Sequence, residues 1–196
     1  MDTQAITHEF LDAQAMLKGH FILSSGLHSD TYLQCARVLM NPKRAEKLCA
    51  ELAKRVRATG VEFDIVVAPA MGGVVVGYEM ARQLGVEGIF CERENGTFTL
   101  RRGFYLEAGQ RVLLVEDVVT TGKSSLETVK CIESYGATVV AESTLIDRSS
   151  GAHGLPFPLT SLLTLDVQAY AADALPEQLK ALPAIKPGSR WLKAQG

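Results

Sequence analysis

The apolar positions of the chain change period along its length, and the changes mark out its elements. Leu48, Leu52 and Val56 recur every fourth residue, behind the capping pair Asn41-Pro42 and ahead of Gly60, which predicts a helix between them. "DIVVA" (64–68) is a short β-branched run ending at a proline and reads as a buried strand. "GGVVVGYEMARQLG" (72–85) reads as a helix that starts in glycines and ends at Gly85, and "GIFCE" (88–92) as a second strand. "TFTLRRGFYLEAGQ" (97–110) alternates and then turns, which predicts a ribbon or a mobile loop. "RVLLVED" (111–117) is a strand with a continuous apolar centre. A helix is expected from about Gly122 to Tyr135, stopped by Gly136, and further strands in "TVVAESTLID" (138–147) and "SLLTLDVQAY" (161–170). The tail holds Pro176, Pro183 and Pro187 around a short helical segment.

Strands alternating with helices predict an α/β fold with a central, mainly parallel sheet flanked by helices. The alternating core runs over about 41–160. The flanking segments, about 1–40 and 161–196, are expected to form one small lobe or hood over it, within a single domain. Composition agrees: of 196 residues, 47% are hydrophobic and 21% charged, which suits one globular domain with a full core. A net charge of -2 gives no basic field and argues against a nucleic-acid or membrane partner. The start, "MDTQAITHEFLDAQAM", lacks the pattern of a signal peptide. The most apolar stretch, "FDIVVAPAMGGVVVGYEMA", is broken by Pro69, glycines and Glu79, so the expected location is cytoplasmic. Cys35, Cys49, Cys91 and Cys131 lie far apart without a CxxC and are expected to be reduced and mostly buried. The histidines show no metal-ligand spacing, and His20, His28 and His153 are expected to be surface or hydrogen-bonded side chains.

One turn concentrates chemistry. In "VLLVEDVVTTGKSS" (112–125) a strand runs into Glu116-Asp117, and a helix leaves through Gly122-Lys123-Ser124. Backbone N–H groups at a helix start have no internal partners and face outward with the positive end of the helix dipole, so a phosphate suits them. Thr120, Thr121 and Ser124 add hydroxyl donors. A P-loop would need its first glycine at position 117, where this chain has Asp117. Adjacent acids would repel a triphosphate. They suit a sugar phosphate, with the amides on the phosphate and the carboxylates on ribose hydroxyls. An acidic strand end that merely caps a helix would need a single capping residue.

The segment "VLLVEDVVTTGKS" resembles the PRPP-binding signature of type I phosphoribosyltransferases. "GHFILSSGLHSDTYLQC" (19–35), "PAMGG" (69–73), "LIDRSSG" (145–151), "ERENGTFTLRRGF" and "YAADALPEQL…KPGSR" resemble a bacterial branch of the orotate phosphoribosyltransferases, over nearly the whole chain. The resemblance implies the type I phosphoribosyltransferase fold, a cytoplasmic homodimer, Mg²⁺, and transfer of the phosphoribosyl group of PRPP to orotate in pyrimidine biosynthesis. It implies PRPP binding by Glu116, Asp117, Val118, Val119, Thr120, Thr121, Gly122, Lys123 and Ser124, with Glu116 and Asp117 also serving catalysis. It implies orotate binding by Thr120, Arg148 and Tyr32, and a pyrophosphate loop at Ala70, Met71 and Gly72. Metal is expected on PRPP oxygens and water rather than directly on side chains. A lid falls at Glu92–Phe104, with Arg93, Arg101 and Arg102 as catalytic cations for the leaving pyrophosphate. Better-known orotate enzymes carry lysines where this chain has Ser24 and Gly72, so those arginines are expected to take over pyrophosphate contacts.

Two other readings remain at this point. A phosphoribosyltransferase for a purine base such as adenine would need an aromatic stacking wall in the hood, whereas orotate needs cationic and amide donors. A non-enzymatic PRPP-sensing regulator would keep the phosphate turn but add a nucleic-acid surface, against which the net charge argues. A solvated hairpin with exposed arginines is the plainer reading of the lid segment.

Overall fold

The computed structural model describes residues 1–23 and 26–187. Ser24 and the tail from position 188, both within the expected hood, lie outside the described residues. In chain order the elements are α1 (Thr3–Asp12), β1 (Met16–Ile22), β2 (His28–Leu33), α2 (Cys35–Leu39), α3 (Pro42–Ala58), β3 (Ile65–Pro69), α4 (Gly72–Leu84), β4 (Glu87–Glu94) and β5 (Thr97–Leu100). They continue as β6 (Arg111–Val119), α5 (Lys123–Ser134), β7 (Thr138–Asp147), β8 (Leu159–Thr164), β9 (Ala169–Tyr170), α6 (Glu177–Lys180) and β10 (Ala184–Ile185).

Local chemistry sets the boundaries. The Asn41 side chain accepts from the backbone N–H groups of Lys43 (3.1 Å) and Arg44 (3.3 Å) at the start of α3, and Pro42 fills the first turn. Gly85, left-handed at φ 78°, ends α4. The six-stranded sheet has the order β5-β4-β3-β6-β7-β8. All its neighbours are parallel except the antiparallel pair β4 and β5.

Side chains alternate across this sheet, so each strand feeds two cores. Val66, Leu113 and Val115 pack on the side of α1, α2, α3 and α4. Ile65, Val67, Val112 and Leu114 pack on the other side, with Val129 and Ile132 of α5. The parallel strands are therefore buried on both faces, which accounts for their continuous apolar sequences.

A four-stranded sheet of order β10-β1-β2-β9 forms the hood. Its strands come from both ends of the chain. The N-terminal helices do not join it: Ile6 and Phe10 of α1 are fully buried in the same cluster as Leu48 and Leu52 of α3. The strand expected over 161–170 divides in two. β8 ends at Thr164 in the large sheet, and β9 begins at Ala169 in the hood. Between them the Leu165 N–H donates to the Asp147 carbonyl, the last tie to β7, before the chain crosses over. The alternating part of 97–110 forms a ribbon: β5 pairs with β4 around Asn95 and Gly96, both left-handed (φ 52° and 85°).

Candidate active site

The order of the large sheet fixes where a ligand can sit. The chain leaves β3 toward β4 on one side and returns to pair β6 on the other side of β3. Ligands of open α/β sheets bind beyond the carboxyl ends of the strands at such a reversal. The loops after β3 and β6 share that crevice. They hold, respectively, Ala70-Met71-Gly72 and the Glu116–Ser124 turn.

These two loops touch. A Cβ on Gly72 would lie 2.7 Å from Asp117 Oδ1, so only glycine leaves room for that carboxylate. The Ala70–Met71 peptide is cis. Gly122, at φ 72°, occupies the cap position of α5, and a Cβ there would overlap the His153 carbonyl oxygen. No side chain caps α5; the Lys123 N–H reaches Thr121 Oγ1 at 3.4 Å. The start of α5 is therefore open to an anion.

Three adjoining cavities surround the turn. The first, about 390 Å³, is lined by Val118 to Ser125 with Arg93 and Glu127. The second, about 510 Å³, joins Met71, Gly72 and Asp117 to Leu33, Cys35 and Met40. The third, about 710 Å³, lies between core and hood and is lined by Tyr32, Leu33, Thr120, Thr121, Arg148 and Ser149, with Ile22, Leu23, Leu27 and Val167. Val118 lines the first two, Leu33 the second and third, and Thr120 and Thr121 the first and third. A molecule with a phosphate, a sugar and a flat ring could therefore occupy one continuous path.

The acids of the turn are perturbed. Alternation along β6 puts Glu116 on the α5 side and Asp117 on the α4 side. Burial first, and then the neighbouring Asp117, push the Glu116 carboxyl up to about 9. Burial also raises Asp117, opposed by hydrogen bonds from Glu116 and from the Val118 N–H, which reaches Asp117 Oδ1 at 3.0 Å. Two buried carboxylates this close titrate as a pair, and burial disfavours charge on both. Burial, followed by these two carboxylates, also raises the Cys35 thiol well above its usual range.

Arg148 stands in the third cavity. Its backbone N–H donates to the Val119 carbonyl at 2.8 Å, which ties the end of β7 to the end of β6. Burial lowers its pKa, and its Nε has no hydrogen-bond partner. A buried guanidinium N–H left unpaired is costly, while the guanidinium as a whole lines the cavity and can meet an anion there. Tyr32, half-buried beside it, donates to Gln34 Oε1 at 2.9 Å and packs against Phe21 with ring centroids 5.7 Å apart.

The three lid arginines separate. Arg93 reaches the first cavity and pairs with Glu127 of α5, whose carboxyl it holds below its ordinary value. Arg101 and Arg102 fold back onto the hairpin, Arg101 between Glu92 (3.8 Å) and Glu94 (3.7 Å) and Arg102 on Glu92 (2.6 Å). Neither lines any of the three cavities.

Two acids near the turn escape sequence reasoning. Glu127 has no local signal, because its partner Arg93 is 34 residues away. Glu142 does have one, a lone acid inside an apolar strand. It is fully buried, accepts from Ser125 Oγ at 2.8 Å beneath the first turn of α5, and is pushed up to about 7 by burial. His20 and His28 hydrogen-bond to each other at 2.6 Å in the hood, as expected of them.

Comparison with known proteins bears on this arrangement. A model of the phosphoribosyl transferase domain matches residues 38–165. The orotate phosphoribosyltransferase of Maricaulis maris is 54% identical over 193 residues, 98% of this chain and 100% of that relative. Among solved structures, the orotate phosphoribosyltransferase from Aeropyrum pernix aligns with a TM-score of 0.63 at 27% identity, over 81% of this chain and 93% of that one. An adenine phosphoribosyltransferase from Thermoanaerobacter pseudethanolicus aligns with a TM-score of 0.58 at 22% identity, over 69% of this chain and 88% of that one, a likeness of fold alone.

Proposed function

Since the chain belongs to the orotate phosphoribosyltransferase family, we infer that it transfers the phosphoribosyl group of PRPP to orotate, giving orotidine 5′-phosphate and pyrophosphate in pyrimidine biosynthesis. The observation that carries the choice of base is Arg148. Its side chain lines the cavity between core and hood, as do the threonines of the phosphate turn. Orotate is a planar anion, and a guanidinium fork in a partly apolar slot suits it. The same cavity presents aliphatic residues from the hood, with Tyr32 as its one aromatic lining residue among those described. That composition favours an anionic pyrimidine over a purine that requires a stacking wall.

The reaction breaks the bond from ribose C1 to the pyrophosphate oxygen and forms one from C1 to the pyrimidine ring nitrogen, whose N–H proton passes to solvent. Positive charge spreads over C1 and the ring oxygen as the bonds exchange, so positioning and electrostatics carry the catalysis. Asp117, seated against Gly72, is proposed to accept from a ribose hydroxyl and to favour that charge. Glu116, whose carboxyl burial pushes up to about 9, can donate to one ribose oxygen or, once ionised, accept from it. The amides and hydroxyls of Val118 to Ser124, including Val119, Thr120, Thr121, Gly122 and Lys123, are proposed to hold the 5′-phosphate. Thr120 and Thr121 face both the phosphate and base cavities, which supports a contact from Thr120 to orotate. Ala70, Met71 and Gly72 are proposed to receive the pyrophosphate, with Arg101 and Arg102 reaching it after exchanging their hairpin acids for the leaving group.

Among the described residues no group of three or more His, Cys, Asp or Glu is arranged to hold a metal ion. The donors present, Asp117 above all, fit an ion carried mainly by substrate oxygens and water, and we propose Mg²⁺ in that form. Mg²⁺ would supply charge neutralisation on the pyrophosphate. No described helix is long and apolar enough to cross a membrane, and we propose a cytoplasmic homodimer.

The Arg148 assignment is tested by steady-state kinetics of Arg148→Leu. Loss of a charge-assisted contact predicts a KM for orotate raised about 10- to 100-fold with the KM for PRPP little changed. Equal rises in both constants would remove Arg148 from the base site.

A further inference from the structure

The first cavity holds a cation that the phosphate turn itself does not supply. We propose that Arg93 is a fixed ligand of the ribose 5-phosphate, and thus serves a different phosphate from Arg101 and Arg102, with which the sequence groups it. The proposal rests on the reading of Thr120–Ser124 as the 5′-phosphate cradle.

Three contacts from three places hold the Arg93 guanidinium at the wall of that cavity. Nη1 donates to the Gly96 carbonyl at 2.9 Å, in the turn of the hairpin. Nη2 pairs with Glu127, one turn into α5. The guanidinium carbon lies 4.1 Å from the centroid of the Phe98 ring, opposite Arg93 on β5. A side chain seated in this way has little freedom left to lose when an anion arrives, so its hydrogen bonds to phosphate cost less to form.

The chemistry of the cavity fits a phosphate with a formal charge near two. The cradle offers N–H groups and hydroxyls, which orient the group but leave its charge uncompensated. Lys123 lies on the same wall but is exposed and has a long flexible stem. Arg93 brings a planar fork with five N–H donors, more than its two present acceptors use. Glu127 keeps the arginine oriented and partly neutralised while the cavity has no anion. Arg101 and Arg102 make no such contact with α5: their partners are Glu92 and Glu94 of the hairpin itself, with the centroid of the Phe90 ring of β4 5.7 Å from the Arg102 guanidinium carbon. Arg93 differs in one contact that leaves the hairpin: Glu127 ties it to α5, the helix that carries the cradle.

The test measures binding of each phosphate separately. Ribose 5-phosphate and Mg²⁺-pyrophosphate are titrated calorimetrically into the parent chain and into Arg93→Ala, Arg93→Lys, Arg101→Ala and Ser124→Ala. Arg93→Ala should weaken ribose 5-phosphate about tenfold and leave pyrophosphate within about twofold. Arg101→Ala should do the reverse, and Arg93→Lys should fall between parent and alanine for ribose 5-phosphate. If Arg93→Ala weakens pyrophosphate as much as or more than ribose 5-phosphate, while Ser124→Ala weakens ribose 5-phosphate, the cradle stands and the assignment of Arg93 is overturned. If neither Arg93→Ala nor Ser124→Ala affects ribose 5-phosphate, the reading of the cradle fails and the proposal with it.

Discussion

Glu116 follows Val112 and Leu114 on the α5 side of its strand and is only 7% exposed. An acid whose pKa is raised by folding binds its proton more tightly in the native state. Its contribution to stability is full below the ordinary carboxylate range and is lost as pH climbs toward about 9. Glu116→Gln keeps the shape of the neutral acid and removes the titration. Its Tm should therefore exceed the parent's increasingly between pH 5 and 9, by roughly 2–4 °C for each kcal/mol of ionisation cost removed. Glu142, raised to about 7, titrates within the same window, so some slope should remain in the variant. Parallel melting curves for the two proteins across that range would show that Glu116 is not held neutral. Some of this site was legible residue by residue. The missing glycine at Asp117 separates a sugar-phosphate holder from a P-loop, and Gly72 proves to be the space in which Asp117 sits. The pairing of Arg93 with Glu127 and of Ser125 with Glu142 was not legible, because those partners meet only after the sheet is assembled.

At the scale of elements, α4 carries its own prediction. Met71, Val75 and Tyr78 fall one turn apart along its start and are 82%, 49% and 72% exposed, and Met40 beside α2 is 76% exposed. Met40, Met71 and Val75 line the cavity that contains Asp117. An apolar stripe of this kind, at the rim of a site, suits the proposed contact with a second copy. Tyr78→Asp should sediment as a monomer where the parent sediments as a dimer, with turnover falling as the rim loses its cover. Identical sedimentation of the two chains would take the contact away from α4. The elements of the core follow the sequence because their signals are local: an Asn-Pro cap, β-branched runs, and glycines after helices. α1 gave little to read, since only Ile6 and Phe10 are buried along its ten residues. The division of 161–170 between two sheets was likewise hidden, because alternation persists while the strand's partner changes from β7 to β2.

At the scale of the whole molecule, the core and the hood carry separate tasks. The core provides the crevice where strand order reverses, and with it the phosphate turn and the acids. The hood, assembled from segments before and after the core, closes the proposed base cavity over Arg148. The core fold is shared with solved phosphoribosyltransferases named for different bases, so it does not settle specificity, and the cavity between core and hood is proposed to do so. The α/β core was readable from alternation alone, whereas the parallel pairing of β1 with β10 joins residues more than 160 positions apart and left no local mark. The most direct measurement is a side-by-side assay of pyrophosphate release from PRPP with orotate or with adenine, with Mg²⁺ and with a chelator. Release with orotate alone, abolished by the chelator while the chain stays folded, is the predicted result. Release with adenine and none with orotate, or with neither base although PRPP binds, would contradict the account.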